Sequence, residues 1–148
     1  MTMDGSGVMN RRCFLAVTCA TVATTACSGS TGPASFGDVS AGNVKDVPVG
    51  ALSAVGSEPV VLGRDAGGLY AMTITCTHQG CDVEPIGTGA SATLDCPCHG
   101  SQFDRNGGVV RGPASSPLAH FAVAVDASGN ITIHGGTRVG AGVRTAVA

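Results

Sequence analysis

Large aromatic side chains are scarce in this sequence. Its 148 residues include no tryptophan and one tyrosine, and aromatic residues make up 3% of the total. A core built from such a sequence packs few large rings. Glycine and proline are plentiful instead, at 23 and 7 residues, and both favour turns. The composition therefore predicts a small, loop-rich β domain, which usually needs a disulfide or a bound metal for stability.

Charge is also scarce. Only 12% of the residues are charged, and the net charge is -2. This composition provides no basic face for nucleic acid and no acidic tail for a cationic partner. We therefore expect no nucleic-acid partner. The length predicts one domain, with no room for a second catalytic domain.

The N-terminal segment, residues 1–27, has the pattern of an export signal. The pair Arg11 and Arg12 precedes an uncharged, mostly apolar run of 14 residues from Cys13 to Ala26. This run is shorter than the roughly 20 residues of a membrane-spanning helix. The sequence NRRCFL resembles a twin-arginine signal, whose pathway exports folded proteins. An ordinary secretory signal is the alternative.

Cys27 precedes a stretch rich in glycine and serine. It is a candidate for lipid attachment, as in a bacterial lipoprotein, with residues 28–42 as a flexible tether. A signal without lipid and an uncleaved anchor extending to Phe36 are the alternatives. We expect a protein on the outer side of the bacterial cytoplasmic membrane, in the periplasm or at the cell surface, and anchored to the membrane through its N-terminus.

Short apolar runs separated by turn residues fill residues 43–135, as in antiparallel β domains. Strands are predicted over 44–50, 58–65, 68–75, 82–87 and 91–95, with a last hairpin over 120–135. Tight turns are predicted at 65–68 and at Asn106-Gly107. The tail, residues 136–148, is expected to fray or to add an edge strand. The predicted fold class is all-β.

Four of the seven cysteines lie in two similar loops, CTHQGC at residues 76–81 and CPCHGSQF at residues 96–103. Each loop follows a predicted strand, so two neighbouring strands are expected to present both loops at one end of the domain. The loops offer two cysteines and two histidines at matching places: Cys76, His78, Cys96 and His99. Thiolates with imidazoles suit zinc or an iron-sulfur cluster. A structural zinc module is therefore an alternative, although the spacing differs from that of a zinc finger.

The paired loops resemble those of Rieske proteins. They match the pattern C-x-H-x(17)-C-x-x-H, with a further cysteine in each loop. The resemblance implies a small antiparallel β-sandwich, with a cluster-binding subdomain of two loops at one end, over residues 43–135. It also implies one [2Fe-2S] cluster, with one iron bound by Cys76 and Cys96 and the other by His78 and His99. Two neutral imidazoles in place of thiolates raise the potential to roughly -150 to +300 mV, against about -400 mV for all-cysteine plant-type clusters.

The same resemblance assigns roles to other residues of the loops. Cys81 and Cys98 would form a disulfide that ties the loops together. Ser101 matches a serine whose hydroxyl donates to a bridging sulfide and raises the potential. Phe103 occupies the position of a tyrosine that donates to a ligating cysteine in high-potential members. The segment Gly112-Pro113-Ala114 resembles the loop that covers the cluster.

The function implied by the resemblance is electron transfer by a redox subunit that is not a complete enzyme alone. In the first hypothesis it accepts electrons from quinol, which contacts the cluster tip, and passes them to a cytochrome. It would then be a subunit of a respiratory bc-type complex with cytochrome b and cytochrome c type partners. In the second it is a stand-alone exported carrier, or the small subunit of a periplasmic oxidase such as arsenite oxidase, bound to an oxidase large subunit. A Rieske oxygenase is disfavoured, because only His120 and His134 remain to bind the second iron that it needs.

Overall fold

The computed structural model describes residues 36–147. These residues form ten strands and two single-turn 3₁₀ helices, Val44–Asp46 and Gly89–Ser91. The strands are β1 (Asp38–Asn43), β2 (Leu52–Ala54), β3 (Val60–Asp65), β4 (Gly68–Thr73), β5 (Glu84–Ile86), β6 (Thr93–Asp95), β7 (Gln102–Asp104), β8 (Val109–Arg111), β9 (His120–Val125) and β10 (Asn130–Val139). The predicted export signal, Cys27 and most of the predicted tether lie outside the described residues.

The strands pair into two antiparallel sheets. The larger sheet has the order β1-β10-β9-β4-β3-β2, and the smaller has the order β5-β6-β7-β8. The predicted hairpins β3–β4, β5–β6 and β9–β10 are present, with the first closing at Asp65 opposite Gly68. The all-β fold predicted from the sequence is confirmed. No helix within residues 36–147 is long and apolar enough to cross a membrane.

Strand β4 is buried on both faces and links two cores. Tyr70 and Met72 belong to one buried cluster, whereas Leu69 and Ala71 belong to another. Successive side chains of a strand point to opposite faces, so this division follows from the strand geometry. The first cluster also contains Leu94 of the smaller sheet. It therefore forms the core between the two sheets, and the second cluster fills the opposite face of the larger sheet.

The N-terminal edge of the larger sheet differs from the prediction. A flexible tether was expected over residues 28–42, but its last residues belong to strand β1, in which Val39 pairs with Ile133. The predicted strand over 44–50 is wrong, because a 3₁₀ turn begins there. The Asn43 side chain accepts the Lys45 N–H at 3.2 Å, and such local bonds compete with strand pairing.

The C-terminal tail packs back onto the sheet. Strand β10 continues four residues beyond the predicted hairpin end at 135, to Val139. Strand β9 pairs with β4 only at Ala71 and Met72. Farther along β4, Leu69 exchanges two backbone hydrogen bonds with Thr145, at 2.9 and 2.8 Å. The tail thus forms backbone hydrogen bonds with the end of β4 that β9 does not reach.

Candidate metal centre

The two cysteine loops reach the same place from different sheets. The first loop leads from β4 of the larger sheet to β5 of the smaller sheet, and the second joins β6 to β7 within the smaller sheet. Two neighbouring strands were expected to present the loops, whereas the strands that precede them, β4 and β6, belong to different sheets. Packing of one sheet against the other, across the shared core, brings the loops together.

The loops share one backbone design. The Cys76 N–H donates to the carbonyl of Cys81 at 2.7 Å, and the Gly80 N–H donates back to Cys76 at 2.9 Å. In the second loop, the Cys96 N–H donates to the carbonyl five residues later at 2.8 Å, and the Gly100 N–H donates back to Cys96 at 3.0 Å. Both glycines have left-handed φ angles, 78° and 74°, which glycine adopts without a steric cost. Each ligand loop is thus a closed turn that starts at a buried cysteine.

A disulfide joins the two turns. Cys81 and Cys98 are bonded, with their Cα atoms 6.5 Å apart. The pairing implied by the sequence resemblance is confirmed. The Sγ atoms of Cys81, Cys96 and Cys98 lie within 4.8 Å of one another. Because two of these three sulfurs are in the disulfide, Cys96 is the member of the group that can act as a thiolate ligand.

Cys76 and Cys96 are free thiols, and each is 2% exposed. Burial raises the pKa of the Cys96 thiol, and its hydrogen bond with Cys76 adds to that effect. The backbone N–H groups of Cys98 and His99 lower the same pKa by donating toward the sulfur. Such donors also favour a metal-bound thiolate. Metal binding at this pair would release protons.

The two loop histidines face each other. The ring centroids of His78 and His99 are 4.8 Å apart, and the rings are nearly perpendicular, at 84°. The Nδ1 atom of His78 is buried and has no hydrogen-bond partner among the described residues. An unpaired buried ring nitrogen is costly, and a metal bond would satisfy it. His99 is exposed.

The residues present fit a cluster bound by two sulfurs and two imidazoles. Two buried thiols and two facing imidazoles form a soft donor set. The other two histidines of the chain have different partners. His120 is buried with Nδ1 3.2 Å from the Leu118 carbonyl, and His134 lies 3.0 Å from Asp38. The two cysteines thus contact each other and the two histidines face each other, in loops that the disulfide joins.

Ser101 and Phe103 are both fully buried, at 0% exposure. The Ser101 Oγ accepts the Ala114 N–H at 2.9 Å, which leaves its own proton available for another acceptor. Phe103 belongs to the core cluster that also contains Cys76 and Cys96.

Residues 111–116, which we call the cover segment, bind both loops. The Arg111 Nε donates to the Gly100 carbonyl at 3.1 Å, and the Thr77 Oγ1 donates to the Ser116 carbonyl at 2.6 Å. Sequence reasoning missed both side chains. No motif marks them, because each contacts a backbone carbonyl distant in the chain.

Comparison with known proteins is consistent with this geometry. Residues 37–122 match the family model of the Rieske [2Fe-2S] domain. The cytochrome b6-f complex iron-sulfur subunit of Synechococcus sp. (strain CC9605) is 51% identical over 67 residues, which are 45% of this chain and 36% of that protein. The subunit of Prochlorococcus marinus (strain MIT 9211) is 51% identical over 69 residues, 45% and 38% of the respective chains. The chain thus spans little more than a third of the length of these relatives.

A solved structure matches more fully. The plasma membrane Rieske protein PetC3 from Synechocystis PCC 6803 is 31% identical with a TM-score of 0.51, and the match covers 64% of this chain and 97% of that one. Since the family model matches more than half of the chain, the loops, the disulfide and the facing histidines have a common explanation. The chain belongs to the Rieske [2Fe-2S] family, and it is an electron-transfer protein that binds one [2Fe-2S] cluster.

Proposed function

We propose that Cys76 and Cys96 bind one iron of the cluster and that His78 and His99 bind the other. The observation that carries this assignment is that the disulfide joins two loops, which together hold two free buried thiols and two facing imidazoles. The unpartnered Nδ1 of His78 is its proposed ligand atom. When bound, the cluster takes up and releases one electron.

The surrounding residues hold this donor set in place. The disulfide limits the motion of one loop against the other, and the two closed turns orient the cysteines. Ser101 presents a hydroxyl proton in a fully buried position, fixed by the bond from Ala114. Each histidine that binds metal through one ring nitrogen keeps the other for a proton or a hydrogen bond. Proton and electron transfer can therefore be coupled at the imidazoles.

We infer that this chain accepts electrons from quinol and passes them to a cytochrome, as a subunit of a respiratory bc-type complex with cytochrome b and cytochrome c type partners. The resemblance to cytochrome b6-f iron-sulfur subunits over 67 residues supports this function. The N-terminal segment supports a location on the outer side of the bacterial cytoplasmic membrane, with attachment to the membrane through the export signal or a lipid on Cys27.

A stand-alone exported carrier, or the small subunit of a periplasmic oxidase, is the second candidate function. Gln79 favours it, because this exposed amide lies next to His78, where the family resemblance implies leucine in many quinol-linked members. A polar tip suits a protein partner better than an apolar quinol.

The ligand assignment is tested on the full-length protein purified without oxygen. We expect two irons and two acid-labile sulfides per chain, a visible absorption band, and a paramagnetic signal after dithionite reduction. The variants His78→Ala and His99→Ala should lose the signal, whereas His134→Ala should keep it, because His134 pairs with Asp38. A colourless protein with one bound zinc would contradict the assignment.

The redox partner is identified by stopped-flow measurement of how fast the protein is reduced in membranes that contain it. Reduction by added menaquinol that depends on cytochrome b, followed by electron transfer to a c-type cytochrome, supports the bc-type function. Reduction by a soluble oxidase subunit, with no response to quinol, supports the second candidate.

A further inference from the structure

Arg111 is a charged side chain in direct contact with a cluster loop. It is exposed at the end of β8, and its Nε donates to the Gly100 carbonyl at 3.1 Å. Gly100 directly follows His99, one of the proposed ligands. The contact therefore connects a guanidinium group to the backbone that positions an imidazole.

The positive charge at this place is not neutralised by a carboxylate. Segments 76–81, 96–101 and 112–117 contain no aspartate, glutamate or lysine, and Arg111 forms no salt bridge among residues 36–147. Asp82 and Asp95 only flank the loops. A cation without a counter-ion acts on its surroundings more strongly than a paired one.

Strand register explains why Asp95 does not pair with Arg111. Asp95 lies opposite Gln102 in the β6–β7 pair, and Gln102 lies opposite Arg111 in the β7–β8 pair. The Gln102 amide donates to both Asp95 carboxylate oxygens, at 3.0 and 3.2 Å. The acid is thereby satisfied one strand away from the cation. Two strand spacings, about 10 Å, separate the backbones of the charged residues.

We propose that Arg111 is a positioning residue that raises the reduction potential of the metal centre. It does so by fixing the peptide that follows His99 and by holding a positive charge beside it. Reduction adds one negative charge to the centre, so a nearby cation stabilises the reduced state more than the oxidised state. This inference rests on the proposed ligand set.

The test compares midpoint potentials of the full-length protein by film voltammetry. Arg111→Gln removes the charge, and Arg111→Lys keeps it. Lys45→Gln is the matched control, because it removes one exposed positive charge near the β9–β10 turn, where Val44 donates to Gly129 at 2.9 Å. We expect Arg111→Gln to lower the ratio of reduced to oxidised protein about threefold at a fixed potential, which corresponds to about 30 mV. Arg111→Lys should retain at least half of the wild-type effect.

Salt dependence provides a second measurement. The difference between wild type and Arg111→Gln should shrink at 1 M salt, where the screening length is about 3 Å. An Arg111→Gln potential equal to that of Lys45→Gln would overturn the proposal, as would an equal loss in Arg111→Lys. If the wild type held no reducible centre, the proposed function would fail as well; a normal centre with an unshifted potential would refute this inference alone.

Discussion

Phe103 lies fully buried in the core cluster that contains Cys76 and Cys96. Its ring carries no hydrogen-bond donor, so it cannot stabilise a ligating sulfur as the tyrosine implied by the family resemblance would. Hydrogen bonds to cluster sulfurs raise the reduction potential. We therefore expect this protein to have a lower potential than tyrosine-bearing relatives, which suits a low-potential donor such as menaquinol.

The variant Phe103→Tyr tests the effect of this missing hydroxyl group. A new hydroxyl bond that favours the reduced state by about 1 kcal/mol should raise the midpoint potential by about 40 mV, since tenfold corresponds to 59 mV for one electron. Protein-film voltammetry measures the shift. Phe121→Tyr is the control, because Phe121 is buried in the other core cluster. An unchanged or lower potential in Phe103→Tyr would count against the interpretation.

At the scale of structural elements, two connections hold the two loops together. The disulfide joins them covalently, and the cover segment joins them through Thr77, Arg111 and the Ala114–Ser101 bond. Glycine turns alone would let the ligands move apart, because glycine has few conformational restrictions. Both links should therefore protect the cluster from loss.

The double variant Cys81→Ala/Cys98→Ala removes the covalent link. The disulfide spans 17 positions, and the chain-entropy model assigns about 3 kcal/mol to a loop of this size. We expect a loss of this order in the free energy of unfolding, measured with urea, and faster bleaching of the visible band in air. The wild type after reduction with thiols should behave like the variant. Equal bleaching rates for wild type and variant would argue against a protective role.

Thr77→Val removes the bond from the first loop to the cover segment while keeping the side-chain shape. The loss of one hydrogen bond should cost about 1 kcal/mol, and amide exchange over the cover segment, residues 111–116, should accelerate. Thr88→Val is a suitable control, because Thr88 is exposed and its side chain makes no capping bond. Exchange that rises equally in both variants would show that the bond does not hold the segment.

At the scale of the whole molecule, stability should depend on pH through His120. This residue is 3% exposed and its Nε2 has no described partner. Burial lowers the pKa of His120; the Leu118 carbonyl and Asp104 raise it, and Arg144 lowers it further. The native state therefore favours the neutral ring, whereas the unfolded chain binds a proton near pH 6.5.

The sign of the effect follows from proton linkage. The His120 contribution is complete above pH 6.5 and is lost as the pH falls toward the lowered folded pKa. We expect the free energy of unfolding of the wild type to decrease between pH 7.5 and 5.5, and more steeply than that of His120→Gln. Urea unfolding at both pH values provides the comparison, and the loop histidines contribute equally to both proteins. Parallel slopes would contradict this role of His120.

Much of the local structure follows from nearby residues in the sequence. Period-two alternation and turn residues predict the β3–β4 and β9–β10 hairpins, because hairpin pairing depends on residues close in the chain. The disulfide pairing was also predictable, since the spacing in CTHQGC and CPCHGSQF matches a known family. The error over 44–50 arose because the Asn43 side chain and a 3₁₀ turn outcompeted an apolar alternation.

The sequence by itself determined the family and the all-β class, because these depend on residue type and short spacing. Only the tertiary structure decided that the loops meet across two sheets and that Thr145 completes β4. It also decided that Arg111 contacts the second loop and that Thr77 of the first loop contacts the cover segment. These features depend on contacts between residues far apart in the chain and on backbone carbonyls, which every residue carries. Side-chain identity therefore contains no signal for them until the two sheets are packed.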